Sequence, residues 1–322
     1  MALDPLTQDR AILGSPAATH NVVGDEPEIA TRQLSQAQLT WIRFRRHKPA
    51  MVGAVILLLM IVLAVFAPLI TPESPYDQFT WDPINNVNLS PRFSPAWYFM
   101  LGTDDSGHLL LSQIAWGARI SLVVGFVSAF GTSLIGVLIG SVSGYFGGWL
   151  DTIVMRVTDV FLALPFLALL LLAADIYGQG HLPLIIGIFI ALTWPGVARL
   201  ARASFLSLRE QEFAEAARSV GVSNGRIIFR HLLPNALRPI IVATTLNVAV
   251  FIVTEAAIDF LGAGIAYPNA SWGNILSNAQ SGFNSGNWWW TIFPGFALVL
   301  TVLAVNFLGD GLGDALDVRS KG

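Results

Sequence analysis

Glu255 and Asp259 stand four residues apart in the run "FIVTEAAIDF", so a helix would carry both carboxylates on one face. Two such groups resist joint ionisation unless water or a cation attends them. Ionisable groups inside an apolar segment often mark the route of a solute or ion. This pair, towards the outer end of its segment, would line a translocation cavity and favour a substrate ammonium group. The plainer alternative is a packing contact between helices, and the spacing leaves both open. Asp159 is a third candidate for the path, with Arg156 three residues earlier as its alternative structural partner.

Enzyme chemistry finds less support. The five histidines, His20, His47, His108, His181 and His231, are scattered without metal-ligand spacing. "GSVSG" at 140–144 has the wrong order for a G-x-S-x-G nucleophile turn. A phosphate-binding loop needs lysine after glycine, and neither Lys48 nor Lys321 fits. No directly bound cofactor or metal is expected.

The elements that must hold these residues are greasy. Of 322 residues 54% are hydrophobic and 12% charged, against roughly 25% charged in a soluble domain. The composition therefore points to membrane lipid as surroundings. A net charge of −3 provides no field for nucleic acid, and the absence of cysteine excludes disulfides and thiolate chemistry. Six runs approach the length of about 20 residues that crosses a bilayer: Ala50–Ile70, Ala118–Tyr145, Thr152–Ala174, Leu184–Phe205, Ile240–Leu261 and Trp290–Leu308. Backbone groups in lipid must be paired within each segment, so an all-α fold with six transmembrane helices is expected.

Arginine and lysine set the orientation. "RFRRHK" at 43–48 precedes the first run, and Arg199, Arg202, Arg209, Arg218, Arg226, Arg230 and Arg238 surround the segment between the fourth and fifth. Arg319 and Lys321 follow the last, while the segments 175–183 and 262–289 carry no lysine or arginine. Both termini and segment 206–239 are therefore placed in the cytoplasm. Trp288, Trp289 and Trp290 would mark the outer interface, Trp41 and Trp149 the inner one. Gly136, Gly140 and Gly144 form a small-xxx-small series for close helix approach, more simply within one bundle than between subunits. Pro165 and Pro195 should kink the third and fourth spans. The expected organisation is a flexible tail at 1–40, a first span with an extracytoplasmic insertion at 41–116, a five-helix core at 117–312 and a tail at 313–322.

One polar stretch interrupts this pattern: "EFAEAARSVGVSNGRIIFRHLLPNALRP" at 212–239. Strong helix formers run to Val220, and Gly221 can take the left-handed conformation that stops a helix. Ser223, Asn224 and Gly225 resemble a turn with a fresh N-cap. A second short helix, Arg226 to Leu233, should end around Pro234. Ala216 and Ala217 leave room for a partner, and Glu215, Arg218 and Arg226 offer charged contacts.

Glu-Ala-Ala at 215–217, Gly221, and Leu233-Pro234 resemble the cytoplasmic signature of importer-type ABC transporter permeases, with His231 at a usually hydrophobic position. "RHLLPN" resembles the dipeptide/oligopeptide/nickel branch, as do "LGTDDSG" at 101–107, "GARISL" at 117–122, "GYFGGWLDTIVMRVTD" at 144–159, "FLGAG" at 260–264 and "SWGNIL" at 271–276. The insertion after the first span suggests the C-type subunit. The resemblance implies a prokaryotic cell-membrane permease for peptides, or within the same branch for nickel complexes or sugars. Its implied partners are a homologous permease in a heterodimer, two ATPase subunits that handle ATP and magnesium, and an extracytoplasmic solute-binding protein. It also implies that Glu215, Ala216, Ala217, Arg218, Gly221, Ser223, Asn224, Gly225 and Pro234 couple the chain to the ATPase. Two departures stand out. His108, Leu109 and Gln113 replace expected charged residues, and Asp259 replaces a serine. An ion-gradient carrier is the alternative class, but it leaves the polar stretch unexplained and lacks an evident internal repeat. A purely structural membrane scaffold is disfavoured by the same stretch.

Overall fold

In the computed structural model the described residues are 35–71, 74–78, 81–82, 87–88, 100–177, 180–265, 269–283 and 286–317. The expected tail at 1–40 lies almost wholly outside them. Its last residues belong to helix α1 (Gln36–Arg46), whose Phe44 is buried against Ala50 and Ala315.

Helix α2 (Lys48–Val65) begins where the His47 ring accepts the Ala50 amide, with Pro49 in the first turn, where no amide is needed. It ends at Phe66, and a single turn, α3 (Ala67–Ile70), follows with Pro68 in its first turn. The first span is thus one helix and a separate turn. Beyond it, strand pairing among the described residues amounts to β1 (Trp81–Asp82) against β2 (Val87–Asn88), antiparallel, and two isolated bridges.

Helix α4 (Leu110–Phe146) has 37 residues, which at 1.5 Å per residue makes a rod of about 55 Å. It starts eight residues before the expected span. Among the described residues no separate short helix leads into it: the Leu110 amide bonds Gly102 O and the helix runs on unbroken. Its chief neighbour is α7 (Leu182–Arg209). Gly136, Gly140 and Gly144 face that helix so closely that a Cβ on Gly144 would lie 2.7 Å from Arg202 O. The glycine series therefore packs within the chain.

Between them lie α5 (Gly148–Ala163) and α6 (Phe166–Tyr177), bent by 73° at their junction. The expected third span, Thr152–Ala174, is a broken pair. Leu164, the residue before Pro165, is extended at ψ 134, since the proline ring disfavours a helical predecessor. Pro195, by contrast, lies inside α7 without ending it.

After α8 (Glu212–Ser219) and the turn α9 (Asn224–Arg226), a π-helical turn, Ile227–Leu232, leads into α10 (Leu233–Phe260). Pro234 does not stop the helix. The Leu233 amide reaches back five residues to Ile228 O. The widened turn eases the proline ring past the preceding backbone, and such π insertions recur at functional places. The bundle closes with α11 (Trp272–Asn278), capped reciprocally by Ser271 and Asn274, then α12 (Gln280–Phe283) and α13 (Trp288–Leu316). Of the three tryptophans that open α13, Trp288 is exposed, while Trp289 and Trp290 are buried and Trp289 donates to Thr103 O at 3.1 Å. Only Trp288 can serve the interface. Among the described residues five helices are long and apolar enough to cross a membrane, or six with the bent pair counted as one span.

Candidate functional site

The polar stretch folds as a hairpin at the arginine-rich end of the bundle. Glu212 and Glu215 occupy the first turn of α8 and Arg218 the last, matching the helix dipole. Gly221 takes φ +76; its amide bonds Arg218 O and the Val222 amide bonds Ala217 O, together a Schellman stop. Ser223 is the N-cap of α9 in extended conformation, although its hydroxyl makes no capping bond.

The hairpin has two faces. Ala214, Ile227, Ile228, Leu232 and Ala236 are buried with Val197, Ala201 and Phe205 of α7 and Tyr145 of α4. The other face is open: Glu215, Ala216, Arg218, Gly221, Ser223, Asn224, Gly225 and Pro234 are all exposed, as are Val220 and Phe229. Of the candidate coupling residues Ala217 alone is half-buried, packed against the inner cluster. The structure thus brings all nine onto one hairpin.

Polar contacts between residues far apart in sequence fix the helix ends beneath this hairpin, and one of them reaches it. Arg202 grips Asp151 with Nε and Nη2, each at 2.5 Å, and Ser143 Oγ donates to the same carboxylate. Arg209 donates to the carbonyls of Gly144 and Tyr145 at 3.2 and 3.3 Å. The Tyr145 hydroxyl donates to Asn224 Oδ1 at 2.8 Å. A polar cleft of about 540 Å³ lies beside these contacts, lined by Tyr145, Phe146, Arg209, Glu210, Glu215 and Arg218. The available signal was the cluster of polar residues where greasy runs end, as in "SGYFGGWLD". Removing one partner of the forked pair should be costly, because a bond to a charged group contributes about 2 kcal/mol. Arg202→Ala should lower the melting temperature of the purified chain, and Asp151→Ala in the same chain should restore part of the loss, a coupling that a double-mutant cycle reads.

Of the three candidate path carboxylates the structure brings Glu255 and Asp259 together on one buried face of α10 and leaves Asp159 apart, on α5. Asp159 is half exposed, 2.5 Å from Arg199 Nη2 and 3.8 Å from Arg156, so the expected Arg156 partner is the more distant of two. Glu255 and Asp259 are 1% and 4% exposed. Glu255 accepts from Ser121 of α4 at 3.1 Å, while its Oε1 has no partner. Asp259 accepts from the Ile265 amide at 2.5 Å and from the hydroxyl of Ser271, the cap of α11. In this arrangement Asp259 pins the loop that follows α10. Asp259→Ala strands two donors, and at about 1–3 kcal/mol for each unsatisfied buried group the chain should melt several degrees lower. Glu255→Gln should cost less. A change of solute selectivity at unaltered stability would favour the cavity instead.

At the far end of α4 two of the residues that stand in place of the expected charges, His108 and Gln113, gather on Asp104. His108 Nδ1 and Gln113 Nε2 each lie 2.7 Å from Asp104 Oδ2, and the Ser106 and His108 amides donate to Oδ1. The loop that opens α4 is held by Asp104.

A bundle of apolar helices with a polar hairpin fixed to one end and open on its outer face defines a multi-pass membrane protein of the transporter-subunit class. Residues 136–322 match the family described as the binding-protein-dependent transport system inner membrane component, and residues 35–91 match the N-terminal transmembrane domain of oligopeptide transport permease C. The chain belongs to this family of transport permeases. It is 38% identical over 306 residues to the dipeptide transport system permease protein DppC of Alkalihalophilus pseudofirmus, covering 95% of this chain and 97% of that one. Against the oligopeptide transport system permease protein OppC of Bacillus subtilis it is 37% identical over 306 residues, 95% and 96% of the two chains. A chain of the MetNI methionine ABC transporter, solved in inward-facing conformations, matches with a TM-score of 0.51 at 24% identity, over 64% of this chain and 96% of that one. That likeness is one of fold, and the fold is that of an ABC importer permease.

Proposed function

We propose that the chain is the membrane-spanning permease subunit of an ATP-driven importer of peptides. It pairs with a homologous permease to form the translocation pathway. Two separate ATPase subunits bind ATP and magnesium, and an extracytoplasmic protein delivers the solute. Both termini and the hairpin face the cytoplasm, on the side where arginine and lysine gather. ATP-driven closure of the ATPases pushes the hairpin and tilts the permease pair from inward- to outward-facing, and hydrolysis resets it.

One observation carries this reading. The hairpin's inner face is sealed into the bundle while its outer face presents Glu215, Val220 and Phe229 to solvent. A surface rigid behind and open in front suits a lever better than a connecting loop. The peptide class rests on the relatives named dipeptide and oligopeptide permeases. Of the three candidate path carboxylates, Asp159 alone is open enough to meet a solute.

Reconstituted vesicles holding the assembled transporter test the whole reading. Uptake of a dipeptide should require ATP and the binding protein and be indifferent to ion gradients. Uptake by this chain alone, or driven by a gradient, would overturn it. Stabilisation of the cognate binding protein by a nickel complex or a sugar, and not by peptides, would move the chain to another substrate of the same branch.

A further inference from the structure

Tyr145 is the penultimate residue of α4 and is 8% exposed. Its hydroxyl donates to Asn224, in the limb after Gly221, and the Arg218 guanidinium, in the limb before it, lies 5.6 Å from the centre of its ring. One side chain therefore touches the hairpin on both sides of its corner. Arg209, the last residue of α7, meanwhile holds the carbonyls of Gly144 and Tyr145, which fixes the end of α4 against α7.

We propose that Tyr145 is a positioning residue that locks both limbs of the hairpin to α4, so that hairpin and rod move as one piece. This role rests on the function proposed above. A hydrogen bond and a cation–π contact made by one nearly buried side chain resist sliding in two directions, because each depends on its own geometry. The glycine seam with α7 stiffens the rod along Gly136 to Gly144. At its other end Leu110 and Gln113 hold the loop around Gly102 and Asp104. Displacement of the hairpin is thereby delivered across the membrane to the face where α4 begins.

The chain has no cysteine, so spin labels at Met100→Cys and Ser219→Cys, both at exposed positions, are unique to it. The labelled chain is assembled with cysteine-free partners, and the label-to-label distance is measured without nucleotide and with ATP plus vanadate. In the otherwise unaltered chain the distance should not change. In Tyr145→Ala, and in Asn224→Ala, it should shift and broaden with nucleotide, because the hairpin then follows the ATPase while the rod lags. Tyr145→Phe retains the ring over Arg218 and should recover part of the fixed distance. A purely structural role would lower the melting temperature of Tyr145→Ala but leave its distance independent of nucleotide, which would overturn the proposal. So would a distance that changes with nucleotide in the unaltered chain. Failure of the ATPases to co-purify with the unaltered chain would instead sink the parent function, and this role with it.

Discussion

Gly140→Leu should leave little folded chain in the membrane, whereas Gly187→Ala should be neutral or mildly stabilising. A Cβ on Gly140 would lie 2.9 Å from Ala201 Cβ and within the space of the Ala198 backbone, while nothing lies within 4 Å of the corresponding point on Gly187. Overpacking ordinarily costs about 1–3 kcal/mol when side chains can yield. Here the obstacle is the backbone of α7, and relief would require separating the most extensively packed helix pair in the chain. The cost should therefore exceed about 3 kcal/mol, a fall of about 5 °C or more in melting temperature for a chain of this size. The control exploits the exposure of Gly187 on α7, where alanine has the better helix propensity. A thermal melt in detergent, together with the yield of monodisperse protein, reads both variants. Equal behaviour of the two would mean that the seam between α4 and α7 contributes little.

The second large effect belongs to the hairpin. Gly221→Pro removes the amide that bonds Arg218 O at 2.9 Å and demands a φ near −65°, where the chain has +76. The Schellman stop cannot form, and the angle between α8 and the following turn is lost. Glu215→Lys leaves the backbone alone and reverses a charge on the open face. Both should abolish co-purification of the ATPase subunits while the membrane bundle melts as before. Loss of one interface anchor costs about 2 kcal/mol or more, which is a weakening of roughly 30-fold. Pull-down of the ATPases and uptake in vesicles measure it. Normal association and transport in both variants would remove the coupling role from this segment.

The two internal prolines illustrate what a chain written out in one line cannot decide. Pro165 and Pro195 look alike, each set in a greasy run. At Pro195 the surrounding Trp194, Val197 and Ala198 are buried against α4, and that packing carries the helix through the missing hydrogen bond. Leu164 is exposed, so no neighbour opposes the break and the chain bends. At Pro234 the outcome turned on a π turn, a one-residue change in hydrogen bonding that leaves no signature in residue type. The hairpin corner was legible, because a glycine after strong helix formers has a local energetic reason to adopt positive φ.

The sequence by itself determined which segments are buried in lipid, that they are helices, where the hairpin turns, and the family to which the chain belongs. Those properties follow from transfer free energy and backbone geometry, which act residue by residue. Only the tertiary structure decided that Glu255 and Asp259 are enclosed by Ser121 and Ser271, that Asp159 answers chiefly to Arg199, and that Tyr145 spans the hairpin's corner. Such pairings join residues from 12 to 134 positions apart, and the rotation of one packed helix against another selects them.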